Sequence, residues 1–250
     1  MTLKVMTFNL RVPVKGDGIN YFPNRRERIL ACIKQEDPDL IGFQEATDEV
    51  REFLRETLGD RYVVLGCGRL QGYRGESAPI AYRKNSFELV NLSTRFLSDT
   101  PTLPNTRYEN SDQSKYPRMF LHAELSPNGM DRTIHLLNTH LDHLGKDARL
   151  LGMRQVLSFA ENLSGPIILT GDMNARPNEA CISLAKEWGL RDTAEHVTHT
   201  FHGFGEYQEN FRIDYVFTNT AVMESHRVEY LPIDGVYVSD HYPVTAMLEI

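Results

Sequence analysis

The chain has 250 residues, of which 41% are hydrophobic and 24% are charged, and its formal net charge is -7. This profile is typical of a globular protein, and the acidic balance disfavours non-specific binding to long nucleic acid, which depends on a basic surface. No apolar run reaches the roughly eighteen residues of a transmembrane helix.

The start of the chain enters an alternating strand pattern directly, without the apolar segment of a signal peptide. The three cysteines, Cys32, Cys67 and Cys181, lie far apart and form neither a zinc motif nor a disulfide framework. We therefore expect a cytoplasmic protein that does not enter a membrane.

Strands and helices follow one another through most of the chain, as hydrophobic periodicity and breaker residues indicate. In chain order, strands are predicted at residues 4–9, 39–45, 62–65, 79–82, 87–97, 118–125, 133–138, 167–169, 212–217, 222–231 and 242–248. Helices are predicted at residues 24–35, 47–58, 146–163 and 179–188, with Asn24 and Thr47 as caps of the first two. The alternation, without a repeat or a linker, predicts one α/β domain over residues 1–250.

Three loops separate these elements at residues 66–75, 98–117 and 196–210. The first contains four glycines, and the second is polar and contains three prolines. Loops of this length are usually functional or mobile in compact domains. We expect the three loops to form the rim of a pocket.

The stretch GPIILTGDMNARP, residues 165–177, is the most informative part of the chain. Its apolar run is bounded by Gly165 and Gly171, which is typical of a buried strand, and Asp172 and Asn174 follow. A rigid strand that ends in a carboxylate and an amide is a suitable support for polar chemistry. Asp and Asn also favour turns, so this stretch alone leaves both interpretations open.

Other apolar runs end in the same way, on a side chain that can bind a metal or transfer a proton. With the central strand included, these residues are Asn9, Glu45, His140, Asp172, Asn174, Asp214, Asp240 and His241. Each has a simpler interpretation, such as Glu45 capping the next helix or His241 as a hydrogen-bonded, partly buried histidine. Their recurrence at the ends of runs favours a single cluster of carboxylates, amides and histidines.

The motifs TFNLR, IGFQE, NTHLDH, GDMN, IDYVF and SDHYPV, spread in this order from about residue 3 to residue 249, resemble the endonuclease/exonuclease/phosphatase superfamily of deoxyribonuclease-like proteins. The segments GRLQGYRGE, RFLSDTP and TFHGF are similar to an uncharacterised bacterial branch related to the nocturnin-like deadenylases. The resemblance implies a four-layer α/β/β/α sandwich, in which two mixed β-sheets pack face to face and helices cover the outer faces.

The resemblance also implies a divalent cation, Mg²⁺ or Mn²⁺, held by Glu45 with Asn9 and Asp240 nearby. The mainly oxygen ligands at these positions favour such hard cations over zinc. Arg11 stands where abasic-site endonucleases carry an aspartate, which weakens an assignment to those DNA-repair enzymes.

For catalysis, the resemblance implies that Asp172 orients or deprotonates the attacking water and that Asn174 holds the phosphate. It pairs His241 with Asp214 and places His140 over the phosphate as donor or acid. A carboxylate beside a histidine fixes its tautomer and favours the imidazolium form.

Substrate contacts are predicted from four further residues. Arg69 and Arg118 lie in or beside the predicted rim loops, and His202 belongs to the TFHGF segment. Glu76 resembles the carboxylate that supports His140 in the deoxyribonucleases. Solvated surface charge is the alternative interpretation of the two arginines.

The sequence therefore predicts a metal-dependent phosphoesterase that hydrolyses a phosphodiester or a phosphomonoester with activated water. Given the acidic net charge, we expect a small phosphorylated substrate or a short nucleic-acid end, and a monomeric protein. Two alternatives remain open: an endo- or exonuclease acting on nucleic acid, and a catalytically silent binding module on the same fold.

Overall fold

Twelve strands form two six-stranded sheets in the part of the chain that the computed structural model describes, residues 1–207 and 211–250. In chain order the strands are β1 (Thr2–Asn9), β2 (Leu40–Gln44), β3 (Tyr62–Leu65), β4 (Ile80–Arg83), β5 (Phe87–Phe96), β6 (Met119–Pro127), β7 (Ile134–His140), β8 (Ile167–Asp172), β9 (Arg191–Asp192), β10 (Asp214–Thr218), β11 (Ala221–Arg227) and β12 (Val244–Glu249). The end of the predicted loop 196–210, residues 208–210, lies outside the described residues.

Both sheets are mixed. The first sheet has the order β11-β12-β1-β2-β4-β3, and the second has the order β5-β6-β7-β8-β10-β9. Strand β1 runs parallel to β2, and β7 runs parallel to β8, whereas the pairs that flank them are antiparallel. Because parallel neighbours end at the same edge of a sheet, each sheet brings two strand ends together.

Side chains that alternate along each strand build the layers. On β1, Leu3 and Val5 pack into the core between the two sheets, whereas Met6 and Phe8 pack on the outer side of the first sheet. Strand β8 repeats the pattern. Ile168 points to the other sheet, whereas Ile167 and Leu169 point outward. Alternation with period two therefore supplies one shared core and two outer cores.

The outer cores are covered by four α-helices among the described residues. They are α1 (Phe22–Glu36), α2 (Asp48–Leu58), α3 (Lys146–Ala160) and α4 (Ala180–Glu187). The first two pack on the first sheet and the last two on the second sheet, which confirms the expected four-layer sandwich. None of the helices in the described part of the chain has the length and apolar character needed to cross a membrane.

The start of α1 differs from the prediction. The helix begins at Phe22 after Tyr21, so Asn24 lies inside the first turn and does not cap it. Pro23 explains the earlier start, because proline is favoured in the first turn, where its fixed φ suits the helix and its missing N–H is not needed. Thr47 precedes α2 as predicted, although its side chain makes no capping hydrogen bond.

Other boundaries also differ. Strand β7 continues to His140, and β11 ends at Arg227 instead of at residue 231. The two-residue strand β9 and the 3-10 turns at Lys15–Asn20 and Gln71–Tyr73 were not predicted, because such short elements carry no periodicity.

Candidate active site

At one edge of the sandwich, neighbouring strands end in polar residues whose side chains face inward. In the second sheet, His140 on β7 and Asp214 on β10 both stand opposite Asp172, the last residue of β8. In the first sheet, Asn9 ends β1, and Glu45 directly follows β2. Because the sheets pack face to face, the two sets of side chains meet in one cluster.

Three residues just beyond these strand ends have a left-handed backbone. The φ angles are 57° at Arg11, 60° at Glu45 and 47° at Asn174. This conformation is uncommon for residues other than glycine and persists only where the surrounding structure enforces it. It turns the chain sharply out of the strand and brings these side chains to the cavity at the sheet edge.

Asn9 connects carboxylates that belong to different sheets. Its Nδ2 donates to Asp172 Oδ2 at 2.9 Å and to Glu45 Oε1 at 3.2 Å. Its Oδ1 accepts the backbone N–H of Arg11 at 2.9 Å. Asn9 therefore fixes the spacing of the two carboxylates, and its role as a metal ligand stays a prediction.

The donor atoms around these carboxylates fit a divalent cation. One ligand atom each from Glu45, His140 and Asp172 lies within 4.8 Å of the others. A second group with the same spacing consists of Asp172, Asp214 and His241. Carboxylate oxygens are the ligands that Mg²⁺ and Mn²⁺ prefer, so the chemistry of the cluster agrees with the predicted cation.

His241 forms a buried ion pair with Asp214. Its Nδ1 lies 2.9 Å from Asp214 Oδ2, and its Nε2 lies 3.9 Å from both Asp172 Oδ2 and Asp240 Oδ1. Burial disfavours the charged ring, but the three carboxylates outweigh burial and raise the pKa of His241 to about 10. The ring is therefore an imidazolium at neutral pH, and its Nε2–H faces the cluster.

At Asp172, unlike at His241, the effect of burial on the pKa outweighs the stabilising charge of its neighbour. Burial, together with the charge of Asp214, raises the pKa of the Asp172 carboxyl to about 7, against the lowering effect of His241. The backbone N–H of Asn174 donates to Asp172 Oδ1 at 2.9 Å and holds the carboxylate in place. Asp172 is therefore a stronger base than an exposed aspartate.

His140 is neutral in the structure. Burial and the nearby charge of Arg118 hold its pKa well below the ordinary value. Its Nε2 accepts from Asn174 Nδ2 at 2.9 Å, and its Nδ1 lies 3.6 Å from Glu76 Oε1. The predicted neighbours Glu76 and His140 thus lie side by side, although the 3.6 Å separation is too long for a hydrogen bond and His140 Nδ1 has no hydrogen-bond partner among the described residues.

Asp240 is buried beside a cation. Its Oδ2 lies 3.6 Å from Arg11 Nη1, and the same guanidinium makes two hydrogen bonds of 3.0 Å to Asp17. Ser239 Oγ donates to Asp240 Oδ1 at 3.3 Å. Asp17 therefore holds Arg11 at the edge of the cluster, where Arg11 partly neutralises Asp240.

The opposite wall of the site is basic. Arg69 makes a two-fold contact with Glu76, with Nη1–Oε1 at 2.7 Å and Nη2–Oε2 at 2.9 Å. Arg118 Nη2 donates to His143 Nδ1 at 3.1 Å, and its Nε lies 3.6 Å from Asp142 Oδ2. Both arginines are buried, so the sequence alternative of solvated surface charge is wrong for them.

A cavity of about 490 Å³ connects this wall with the carboxylate cluster. Most of the predicted site residues line it, namely Glu45, Arg69, Glu76, Arg118, His140, Asp172, Asn174, Asp240 and His241. Asn9 and Asp214 lie directly behind, each bonded to a lining residue.

His202 is not brought to the cavity with the others. Its side chain is only 2% exposed and packs against Tyr237 and Tyr242, with ring centroids 5.2 and 4.2 Å away. Burial lowers its pKa to about 3. A neutral, enclosed ring cannot contact a substrate in this arrangement, so the structure does not support the predicted contact.

Four aromatic residues line the cavity that the sequence did not single out: Tyr116, His143, Phe201 and Phe211. Tyr116 and His143 lie on the basic side with ring centroids 5.8 Å apart, and Phe201 packs edge-on against His241 at 4.9 Å. All four lie outside the strands, where side-chain direction does not follow from alternation. Only the proximity of two of them to predicted site residues could have indicated the cavity lining. His143 is the last residue of the NTHLDH motif, and Tyr116 precedes Arg118 by two residues.

Comparison with known proteins gives one family match and several similar structures. The model of the Endonuclease/Exonuclease/phosphatase family matches residues 6–241. The chain is similar to an endonuclease/exonuclease/phosphatase from Bacteroides vulgatus, with 25% identity, a TM-score of 0.92 and coverage of 100% of this chain and 99% of that chain.

A mannosyl-6-phosphatase of Bacteroides thetaiotaomicron is similar at 25% identity, with a TM-score of 0.88 and coverage of 99% of this chain and 100% of that chain. The human nocturnin catalytic domain with a bound sulfate anion shares the fold, with 16% identity, a TM-score of 0.77 and coverage of 99% of this chain and 94% of that chain.

Proposed function

The chain belongs to the Endonuclease/Exonuclease/phosphatase family, and we propose that it is a metal-dependent phosphoesterase that hydrolyses a small phosphorylated substrate with activated water. One observation carries this proposal: Asp172 lies between the Asp214–His241 pair and the Asn9–Glu45 pair, at the floor of a single cavity. This arrangement combines a base, a cationic donor and a cation-binding carboxylate around one point.

The carboxylate of Glu45 would hold the cation, with Asn9 and Asp240 nearby, which leaves Asp172 as the base. When bound, Mg²⁺ or Mn²⁺ neutralises the non-bridging oxygens of the phosphoester and so favours attack on an anion. Arg11, beside Asp240, is fixed by Asp17 and adds a permanent positive charge at the same edge.

The remaining steps fall to the protein itself. Asp172, with its raised pKa, accepts a proton from water, while Asn9 and the backbone of Asn174 fix the direction of its carboxylate. His241 donates a charge-assisted hydrogen bond from Nε2 to a phosphoryl oxygen, and Asp214 keeps its ring charged and oriented. The side-chain amide of Asn174 donates to His140 Nε2 and to the Leu141 carbonyl, so in this arrangement it orients His140 and has no free N–H for the phosphate.

The shape and charge of the cavity favour a phosphorylated sugar or a molecule of that size. A volume of about 490 Å³ is within the range of small-molecule pockets. Arg69 and Arg118 each lie beside a carboxylate, but Nε and Nη1 of Arg118 make no hydrogen bond among the described residues and are available to bind an anion. The similarity to a mannosyl-6-phosphatase supports the same substrate class.

A nuclease acting on a short nucleic-acid end is the second candidate. The neighbouring rings of Tyr116 and His143 on the basic wall support it, because a base can stack on such a surface. Both candidates use the same carboxylates and differ only in what the basic wall contacts.

A substrate screen tests the proposal. Purified protein is incubated with Mg²⁺ or Mn²⁺ and a panel of sugar phosphates, nucleotides, phosphodiesters and oligonucleotides, with Asp172→Asn as the inactive control. We expect turnover of small phosphomonoesters that is lost in the control. Salt-tolerant nicking of plasmid DNA at low protein concentration would instead identify a nuclease, and binding without turnover of any compound would identify a silent binding module.

A further inference from the structure

A layer of polar side chains lies between the apolar core and the candidate active site. We call it the inter-sheet polar layer: Thr7 on β1, Gln44 on β2, Asn138 on β7 and Thr170 on β8. All four side chains are 0% exposed and point into the space between the sheets. The positions two residues earlier on β1, β7 and β8 are apolar, which makes the layer a boundary inside an otherwise hydrophobic core.

The polar layer bonds the two sheets directly to each other. From the first sheet, Gln44 Nε2 donates to Asn138 Oδ1 at 2.8 Å and to Thr7 Oγ1 at 3.1 Å. From the second sheet, Asn138 Nδ2 donates to the backbone oxygens of Phe43 at 2.7 Å and Pro79 at 3.0 Å. Asn138 is thus bonded to three groups of the opposite sheet.

Thr170 completes the layer within the second sheet, because its Oγ1 donates to Asn138 Oδ1 at 3.0 Å. Gly42 on β2 faces the same place, and a Cβ at this position would collide with Thr170 Oγ1 and with the side chain of Asn138. The backbone of the first sheet therefore approaches the second sheet closely here.

Each member of the layer is immediately linked to a site residue along its strand. Thr7, Asn138 and Thr170 stand two positions before Asn9, His140 and Asp172, and Gln44 directly precedes Glu45. Two residues along a strand return to the same face, so the layer lies directly beneath the cluster.

Apolar packing alone does not fix how two sheets are placed along each other, because dispersion contacts are not directional. Hydrogen bonds are directional, and those of this layer allow one placement of β2 against β7. Buried polar groups are costly to desolvate, and replacing a complete network by apolar residues of similar size is often neutral for stability or stabilising. Two acceptors in this layer are backbone oxygens, so the layer both satisfies buried groups and fixes the placement of the two sheets.

We infer that the inter-sheet polar layer is a positioning device that sets the separation of Glu45 on the first sheet from His140 and Asp172 on the second, and so the shape of the cation site. The inference rests on the proposed metal-dependent function. Groups that orient ligands in this way typically contribute about 10- to 100-fold to metal affinity or activity.

The test compares an apolar replacement with a matched control. The variant Gln44→Met/Asn138→Leu/Thr170→Val removes the network at similar volume. The control Leu136→Met/Ile168→Val makes changes of similar size in the adjacent apolar core. Mn²⁺ binding is measured by calorimetry, thermal unfolding is measured without metal, and kcat and KM are measured on the best substrate.

Asn138→Leu removes a donor from the backbone oxygens of Phe43 and Pro79, so we expect the apolar variant to have a lower melting temperature. At a temperature where the variant is fully folded, it should bind Mn²⁺ at least about tenfold more weakly than the wild type, with kcat reduced more than KM. The control should match the wild type in Mn²⁺ affinity. Two single-residue variants refine the test. Thr170→Ser keeps the hydroxyl and should bind Mn²⁺ with normal affinity. The isosteric Thr170→Val lacks the hydroxyl and should bind Mn²⁺ more weakly.

Three outcomes would overturn the inference. An apolar variant with unchanged Mn²⁺ affinity shows that the layer does not set the site. A large loss of melting temperature that accounts for the weaker binding shows that the layer only stabilises the fold. Absence of Mn²⁺ binding by the wild type refutes the proposed metal-dependent function and the inference with it, and this outcome is recognised before any variant is made.

Discussion

The space between the two sheets has two halves with opposite contents. The half near the start of β1 is filled with apolar side chains such as Leu3, Leu136 and Ile168, whereas the half near the end of β1 holds the polar layer and then the ionisable cluster. The same strands supply both halves through the same alternation. The comparison shows that stability and chemistry are arranged one after the other along each strand, and are not assigned to separate strands.

The energetics of the two halves differ accordingly. Apolar burial contributes roughly 25 cal/mol per Å² of surface removed from water, so the first half stabilises the sandwich. In the second half, Asp172 and Asp214 are buried close together, and Asp214 raises the pKa of Asp172. The positive charge of His241 compensates part of this repulsion, and such buried charges are typical of functional sites, which commonly reduce stability.

The largest expected effect concerns the ionisable half. Asp172→Ala and His241→Ala should each reduce turnover by at least about 100-fold, because general acid–base groups contribute about 10² to 10⁴-fold. The double variant should lose far less than the product of the two, since the residues act as a unit. Turnover and melting temperature are measured on the same samples. A destabilised His241→Ala protein with normal turnover per folded molecule would show that this histidine has only a structural role.

Leu136→Ala tests the apolar half. The side chain is fully buried in the core between the sheets, so its truncation should lower the free energy of unfolding by about 3 kcal/mol. Turnover per folded molecule should stay within about twofold of the wild type. Urea unfolding and active-site titration give the two values, and Leu136→Met, which conserves volume, is the control. A turnover loss as large as that of Asp172→Ala would show that the two halves are not separable.

Much of this two-part organisation could be predicted from sequence. Alternation along β1 and the uninterrupted apolar run of β8 indicated strands, and the residues that follow them indicated the cluster. Glu45 and Asp172 were predicted because they follow or end apolar runs, and the structure places both, together with His241, at one cavity. The family resemblance and the four-layer fold are confirmed by the structure and the comparisons.

The remainder depends on contacts that the sequence pattern does not encode. The left-handed backbone of Glu45 and Asn174 arises from tertiary constraints, since neither residue type requires it. His202 lies in a loop, and only its packing against Tyr242 shows that it is enclosed. Gln44 and Asn138 were read as parts of motifs, and their bond across the sheets becomes visible only when the two strands are placed opposite each other.

A buried histidine in an outer core, His122, can be compared with His241 through the pH dependence of stability. His122 on β6 lies beside His135 and Phe159, with its Nε2 3.1 Å from His135 Nδ1. Burial, followed by the charges of His135 and Arg95, lowers the pKa of His122 to about 4, whereas the pKa of His241 is raised. Burial is common to both rings, so the neighbouring charges decide which one is protonated.

The sign of the resulting pH dependence follows directly. The folded pKa of His122 lies below the unfolded value, so its contribution to stability is complete above about pH 6.5 and is lost as the pH falls through about 4. The free energy of unfolding should fall between pH 7 and pH 4, and we expect this fall to be about 2 kcal/mol smaller in His122→Gln than in the wild type. Urea unfolding of the metal-free proteins at pH 7 and pH 4 gives the difference. Equal pH dependence in the wild type and the variant would contradict the assignment.

The smallest expected effect is that of Glu45→Gln, which changes one charge in the ionisable half and keeps the shape. Asn9 and Val12 donate to different oxygens of Glu45, and glutamine has one acceptor oxygen, so it can keep the shorter bond from Val12 and loses the bond from Asn9. The loss of one hydrogen bond should leave the fold intact. The lost negative charge should weaken Mg²⁺ binding about tenfold, which corresponds to about 1.4 kcal/mol. Calorimetric titration with Mg²⁺ measures the change, and Glu49→Gln on the exposed face of α2 is the matched control because it removes the same charge away from the cavity. Unchanged Mg²⁺ affinity in Glu45→Gln would exclude Glu45 as a ligand and would leave Asp172 and Asp214, the strand-end carboxylates of the second sheet, as the next candidates to test.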